Sequence, residues 1–190
     1  MLVRSVVEFD KVVAVLGLVD VKPFNLEDVL TRVRGLCTDV EVQLLSPQCL
    51  AGFDHIYFAS LNALKSFKQG RSISKSLAME LIVYASAQRQ IEKAIRYLGV
   101  KDAEGSVVIV ALGPDEERVI SCVEAAAAVL DGRIQDSILD IVEEEKLEHV
   151  KRFFGITDVE VEAVRRYGES EGKVVERLIV ERMAILSTMV

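Results

Sequence analysis

The chain has 190 residues, of which 51% are hydrophobic and 28% charged, so it lies in the size range of one domain (1–190) and carries enough apolar surface to fold without staples. Its net charge of −7 argues against a general nucleic-acid coat. Three widely spaced cysteines, Cys37, Cys49 and Cys122, lack the close pairing of a disulfide framework or zinc knuckle and predict buried thiols in a reducing compartment.

Taken in chain order, Arg4 is followed by Glu8, Asp10 and Lys11 before any apolar run, the wrong order for a secretory signal and too acidic for a transit peptide. The valine-rich stretch Lys11 to Val19 reads as a buried strand. Its apolar core, Val12 to Val19, is far shorter than the ~20 residues of a membrane span, so no membrane partner and a cytoplasmic location are expected. Asp20 to Asn25 turns the chain, Asn25 caps a helix through about Arg34, and Gly35 stops it. Val40 to Leu45 alternates apolar and polar residues like a half-buried strand.

Between Phe53 and Phe67, Phe53, Ile56, Tyr57, Leu61, Leu64 and Phe67 recur at helical spacing. A neighbouring stripe of His55, Ala59, Asn62 and Ser66 is small and polar, a face that a ligand, another chain or solvent can meet. Ser72 or Ser74 is the expected cap of the next helical stretch, which runs to Leu98. Gln88 falls on its apolar seam, which points to a break near Ser86-Ala87-Gln88. Val107 to Leu112 is another buried strand, and Gly113-Pro114-Asp115 turns into an alanine-rich helix ending near Gly132. An extended piece is expected around Ser137 to Val142, then a short helix through Phe154. Thr157 and Glu160 form a capping box for the next helix, and a closing helix spans Lys173 to Leu186. The Thr188-Met189-Val190 tail is left to reach a neighbour or to fray.

Charge is unevenly spread. Between residues 46 and 100, Lys65, Lys68, Arg71, Lys75, Arg89, Lys93 and Arg96 face only Asp54, Glu80 and Glu92, a basic block within an acidic chain. Arg89, Lys93 and Arg96 stack like charges on one helix face, which a helix would not adopt for its own stability. Chemistry is sparse by contrast. His55 and His149 have no ligand partners at metal spacing, and no nucleophile elbow, phosphate-cradling loop or kinase motif is present. The Glu143-Glu144-Glu145 run reads as a solvated face. The expectation is a binding protein with no enzyme activity, no metal and no cofactor.

The segment Gly70-Arg-Ser-Ile-Ser-Lys-Ser-Leu-Ala-Met-Glu-Leu-Ile-Val-Tyr-Ala-Ser-Ala-Gln-Arg-Gln-Ile-Glu-Lys-Ala-Ile-Arg-Tyr-Leu-Gly99 resembles the central signature of the TPRKB family, in its archaeal form. The likeness extends upstream through Ala51-Gly52-Phe53-Asp54-His55 and downstream through Phe153-Phe154-Gly155-Ile156-Thr157 and Glu181-Arg182. This resemblance implies an α+β fold with an antiparallel or mixed sheet flanked by several helices. It implies a non-catalytic subunit of the KEOPS complex, which installs N6-threonylcarbamoyladenosine in tRNA. The implied partners are the PRPK-type atypical kinase, indirectly the Kae-type threonylcarbamoyltransferase, and tRNA, held by its CCA end.

On that footing the basic block suits a tRNA end, whose phosphates take lysine and arginine and whose unstacked bases take planar side chains. Lys65, Arg71, Lys75 and Arg89 are the expected phosphate contacts, with His55 and Asn62 available to bases. Leu178, Ile179, Met183, Ile185 and Leu186 spread around more of the closing helix than one core contact uses, making them candidates for kinase docking, while a buried helix is the competing expectation. The alternative function is a regulatory domain that binds a small molecule between sheet and helices.

Overall fold

The computed structural model describes residues 1–101 and 105–188. It is an α+β fold built on a five-stranded sheet whose pairings are all antiparallel. The strands are β1 (Leu2–Val6), β2 (Lys11–Val19), β3 (Glu41–Leu45), β4 (Ser106–Gly113) and β5 (Arg133–Ile134). Their order is β1-β2-β4-β3, with β5 pairing to the far end of β2. The helices are α1 (Leu26–Leu36), α2 (Phe53–Lys68), α3 (Leu77–Ala85), α4 (Ile91–Leu98), α5 (Glu116–Leu130), α6 (Glu144–Phe154), α7 (Asp158–Val164) and α8 (Glu171–Thr188).

Antiparallel sheets often leave one face to solvent, and their strands then alternate apolar with polar residues. Here β2 and β4 read as unbroken apolar runs because both faces are covered. Val13 and Val15 of β2 lie opposite Leu112 and Val110 of β4 and enter a core shared with Ile56, Leu81, Leu98, Val150 and Ile179. The other set, Ala14 and Leu16 opposite Ala111 and Ile109, packs on Val29 and Val33 of α1 and on Val119, Val123 and Ala126 of α5. The first layer holds α2, α3, α4, α6, α7 and α8, and the second holds α1 and α5. The same covering buries both faces of β3, so Gln43, expected on a wet face, is buried and turns its amide to the Leu44 carbonyl.

Local chemistry sets the helix ends. Asn25, Asp115 and Thr157 accept hydrogen bonds from the amides of Asp28, Arg118 and Glu160, and Glu160 returns the bond to Thr157 to complete the expected capping box. Gly35 does not stop α1, which runs one residue past it. The cap of α3 is Ser76, not Ser72 or Ser74, because those residues belong to a loop with its own hydrogen bonds.

Three expectations fail for tertiary reasons. Strand β1 went unread in the sequence, since it is a largely exposed edge with no apolar alternation. The extended piece expected at Ser137 to Val142 is instead a 3₁₀ turn, Asp136–Leu139, tied to β2 where Gly17 donates to the Asp136 carboxylate at 2.9 Å and accepts from the Gln135 amide at 2.8 Å. A Cβ on Gly17 would strike the Gln135 carbonyl, so the turn can approach only a glycine. Third, Cys37 and Cys122 form a disulfide. They are 85 residues apart, but α1 packs on α5 and brings their Cα atoms to 5.2 Å. Cys49 alone is the buried free thiol that was expected, and the case for a reducing compartment loses that support. Met189 and Val190, the end of the tail considered above, lie outside the described residues. Among the described residues no helix is long and apolar enough to cross a membrane.

Closing a loop of this length should contribute about 2–4 kcal/mol. Cys37→Ser is expected to lower the unfolding free energy from denaturant titration by that amount, and reductant should lower the wild type to the same level while leaving the variant unchanged.

Candidate nucleic-acid and partner interfaces

The basic block folds into two clusters at opposite ends of α3. At one end α2 stops at Lys68 in a left-handed glycine: Gly70, at φ +65°, donates to the Phe67 carbonyl, and Arg71 donates to the Ser66 carbonyl. The chain then crosses to Ser76 through Ser72, Ile73 and Ser74. Lys65, Arg71 and Lys75 are exposed around this corner, and among the described residues none of them makes an ion pair. Elsewhere many cations are engaged: Arg4 with Asp54, Arg133 with Asp20, Arg177 with Glu169, and Lys151 with Glu148, Asp158 and Glu171. The corner therefore offers positive charge that the fold itself does not consume.

At the other end of α3, about 13 Å away at 1.5 Å per residue, the expected break occurs. Ala87 adopts φ +49° and closes the helix by donating to the Tyr84 carbonyl, while Gln88 donates to the Val83 carbonyl. An alanine in this conformation is strained relative to glycine. Gln88 leaves the apolar seam and, with Arg89 and Lys93, lines a groove of about 400 Å³ closed by Phe154, Arg182 and Ile185. Arg89 thus stands apart from Lys65, Arg71 and Lys75. Lys93 stands with it as the Arg89-Lys93-Arg96 stack anticipates, whereas Arg182 joins it only through folding.

The polar stripe on α2 has a different fate from the one expected. His55, Ala59 and Ser66 are buried and Asn62 is half-buried, because α3 and α8 cover the face that a ligand would have used. His55 cannot stack on a base. Its Nδ1 accepts from the Ala51 amide at 3.2 Å, its Nε2 donates to the Ala85 carbonyl at 2.6 Å, and its ring meets Phe154 edge-on. Beside it, Glu176 of α8 accepts from the His55 amide at 3.3 Å and from Lys173 at 2.7 Å. The N-cap of α2 is Gly52 at φ +138°, which has no side chain to offer, so the ring and the distant carboxylate do the capping. The Glu176 carboxylate fills the space where a Cβ of residue 52 would lie.

Of the five side chains expected to dock a partner, Leu178, Ile179, Met183 and Leu186 are buried. Helix α8 packs against α2, α3, α6 and α7, which consume its wide apolar face. Only Ile185 remains open, 59% exposed at the rim of the groove. A larger open cavity of about 780 Å³ lies beside α6, lined by Gln48, Gln135, Lys146, His149 and Arg152 among others. Lys146 spends its ammonium group on the carbonyls of Ile138, Leu139 and Asp140, and burial pulls its pKa down to about 8. Among the described residues no cluster of three or more histidine, cysteine or acidic side chains is arranged to hold a metal ion.

Burial pushes the His55 imidazole down to about 4, against the Ala85 carbonyl, which favours the charged ring; Lys146 adds to the depression. The folded state thus holds a neutral ring, and protonation at Nδ1 would also break the bond to Ala51. A folded pKa below the unfolded value means that this contribution is complete above pH 6.5 and is lost as pH falls toward 4. Glu176 acts in the opposite sense: burial raises its carboxyl pKa despite Lys173, so its contribution is present below the ordinary carboxylate range and is lost as pH rises through the folded value. Between about pH 7.5 and about pH 5.5 the His55 contribution falls by about 1 kcal/mol. Denaturant titrations should show this loss in the wild type and a flatter dependence in His55→Gln.

The family model described as kinase binding protein CGI-121 matches residues 20–187. The chain is 32% identical over 147 residues to the "Regulatory protein Cgi121" of Methanocaldococcus jannaschii, covering 77% of this chain and 83% of that protein. It is 28% identical over 79 residues to the "KEOPS complex subunit Cgi121" of Pyrococcus abyssi, covering 42% of this chain and 44% of that protein. Across nearly the whole of both structural layers, then, this chain belongs to the CGI-121 kinase-binding protein family.

Proposed function

We propose that this chain is a non-catalytic subunit of a KEOPS complex acting in N6-threonylcarbamoyladenosine modification of tRNA. In this reading it binds the PRPK-type kinase, reaches the Kae-type transferase through that kinase, and helps recruit tRNA by its CCA end. The carrying observation is family membership over residues 20–187, in a family described by kinase binding and with a relative named as a KEOPS subunit. The exposed cations at Lys65, Arg71 and Lys75, which make no ion pair among the described residues, support the RNA half of the reading, since phosphate contacts dominate affinity for nucleic acid. Arg89 supplies a second contact from the groove at the far end of α3, and Asn62 is the half-buried amide nearest the role first given to His55.

For the kinase we propose the exposed end of α8, centred on Ile185. The four buried residues of the original set support that surface from within. A large exposed aliphatic side chain next to Phe154 and Leu186 is the kind of anchor around which an interface core forms. Copurification of the tagged protein from its own cells, with mass spectrometry and RNA sequencing, tests the assembly as a whole. If neither kinase nor tRNA is recovered, and a metabolite raises the melting temperature, the small-molecule reading gains, with the cavity beside α6 as its site.

Two variants separate the surfaces. Ile185→Glu should weaken kinase binding at least about tenfold, or 1.4 kcal/mol, with an unchanged melting temperature, as measured by calorimetric titration. Lys65→Glu combined with Arg71→Glu should weaken tRNA binding and flatten its salt dependence without affecting the kinase.

A further inference from the structure

Glu80 lies in the first turn of α3, is fully buried, and has no cationic partner among the described residues. Its carboxylate reaches back to the corner instead. Oε1 accepts from the Ser66 hydroxyl at 3.0 Å and from the Ile73 amide at 3.1 Å, and Oε2 accepts from the Ser74 amide at 2.7 Å. An isolated carboxylate is costly to bury, and three donors converging on it offset that cost. The two consecutive amides would otherwise form an anion-binding concavity. Glu80 occupies it, so recognition of a polyanion falls to side chains.

The whole crossing from α2 to α3 is held by this arrangement. Arg71 is pinned at its amide to Ser66, Ile73 and Ser74 are pinned to Glu80, and Ser76 caps Met79 while its carbonyl accepts from the Ser74 hydroxyl at 2.7 Å. Arg71 and Lys75 flank the clamped pair, and among the described residues their side chains make no ion pair. We infer that Glu80 is a positioning residue for RNA: its carboxylate fixes the loop backbone so that Arg71 and Lys75 stand beside Lys65 before the ligand arrives. Prior ordering of the loop removes part of the entropic cost of binding. This inference rests on the proposed RNA reading and deepens it.

The test uses the full chain and labelled tRNA, with anisotropy titrations at several salt concentrations, thermal melts and amide hydrogen exchange. Glu80→Gln replaces one acceptor with a donor facing an amide. It should weaken tRNA binding about tenfold at temperatures well below its melting point. Exchange at Ile73 and Ser74 should accelerate, while the salt slope should stay at the wild-type value, because no phosphate contact is removed. A merely structural role would speed exchange without changing affinity, and that result overturns the inference. Lys65→Glu with Arg71→Glu is the reference: if it too leaves tRNA binding unchanged, the RNA reading itself is wrong. Should Glu80→Gln fail to fold, Ser66→Ala decides. It removes one donor and keeps the charge, with an expected loss of about threefold, and wild-type affinity alongside faster loop exchange overturns the inference.

Discussion

Strands β2 and β4 exclude water on both faces, and the rest of the architecture follows from that constraint. They pair with each other along eight residue pairs and, on their outer edges, with β1, β5 and β3, so the apolar side chains can point both ways while the backbone groups find partners in the sheet. Two helical layers are then required. The smaller one, α1 and α5, is fastened by the disulfide between Cys37 and Cys122, and the larger one carries every surface considered for binding.

Within the larger layer the buried polar groups act as joints. Glu176 and His55 finish the N-terminus of α2, which Gly52 cannot finish itself, and Glu80 finishes the passage out of α2. Both ends of one helix therefore depend on side chains from other helices. A carboxylate inside an apolar layer has few tolerable arrangements, so α2, α3 and α8 are held in one relative placement. That placement leaves Lys65, Arg71 and Lys75 at one end of α3 and the groove around Arg89 and Ile185 at the other.

The separation bears on how two macromolecules can share a small protein. A polyanion at the α2–α3 corner and a protein at the end of α8 would meet different elements, with α3 between them. Arg89 belongs to the second region by position and to the first by charge.

Much of this was legible in the sequence wherever the cause is local. The strands at Lys11 to Val19 and Val107 to Leu112, the caps at Asn25 and Thr157, and the break after Ala85 each follow from a few neighbouring residues. The basic block was equally plain, because charge on exposed side chains needs no partner to be read. Which face of α2 or α8 would remain open was not legible. Helical spacing places His55 and Asn62, or Leu178 and Ile185, on one face of their helix, but only the packing of the surrounding helices decides that one of each pair is sealed more deeply than the other. The disulfide and the Glu80 clamp belong with these, since the first joins residues far apart in the chain and the second is a carboxylate turned back toward its own loop. Sequence alone determined most of the elements, the caps at Asn25 and Thr157 and the sign of the charge; tertiary structure decided the edge strand, the turn on Gly17 and which side chains face solvent, because these depend on the whole set of neighbours.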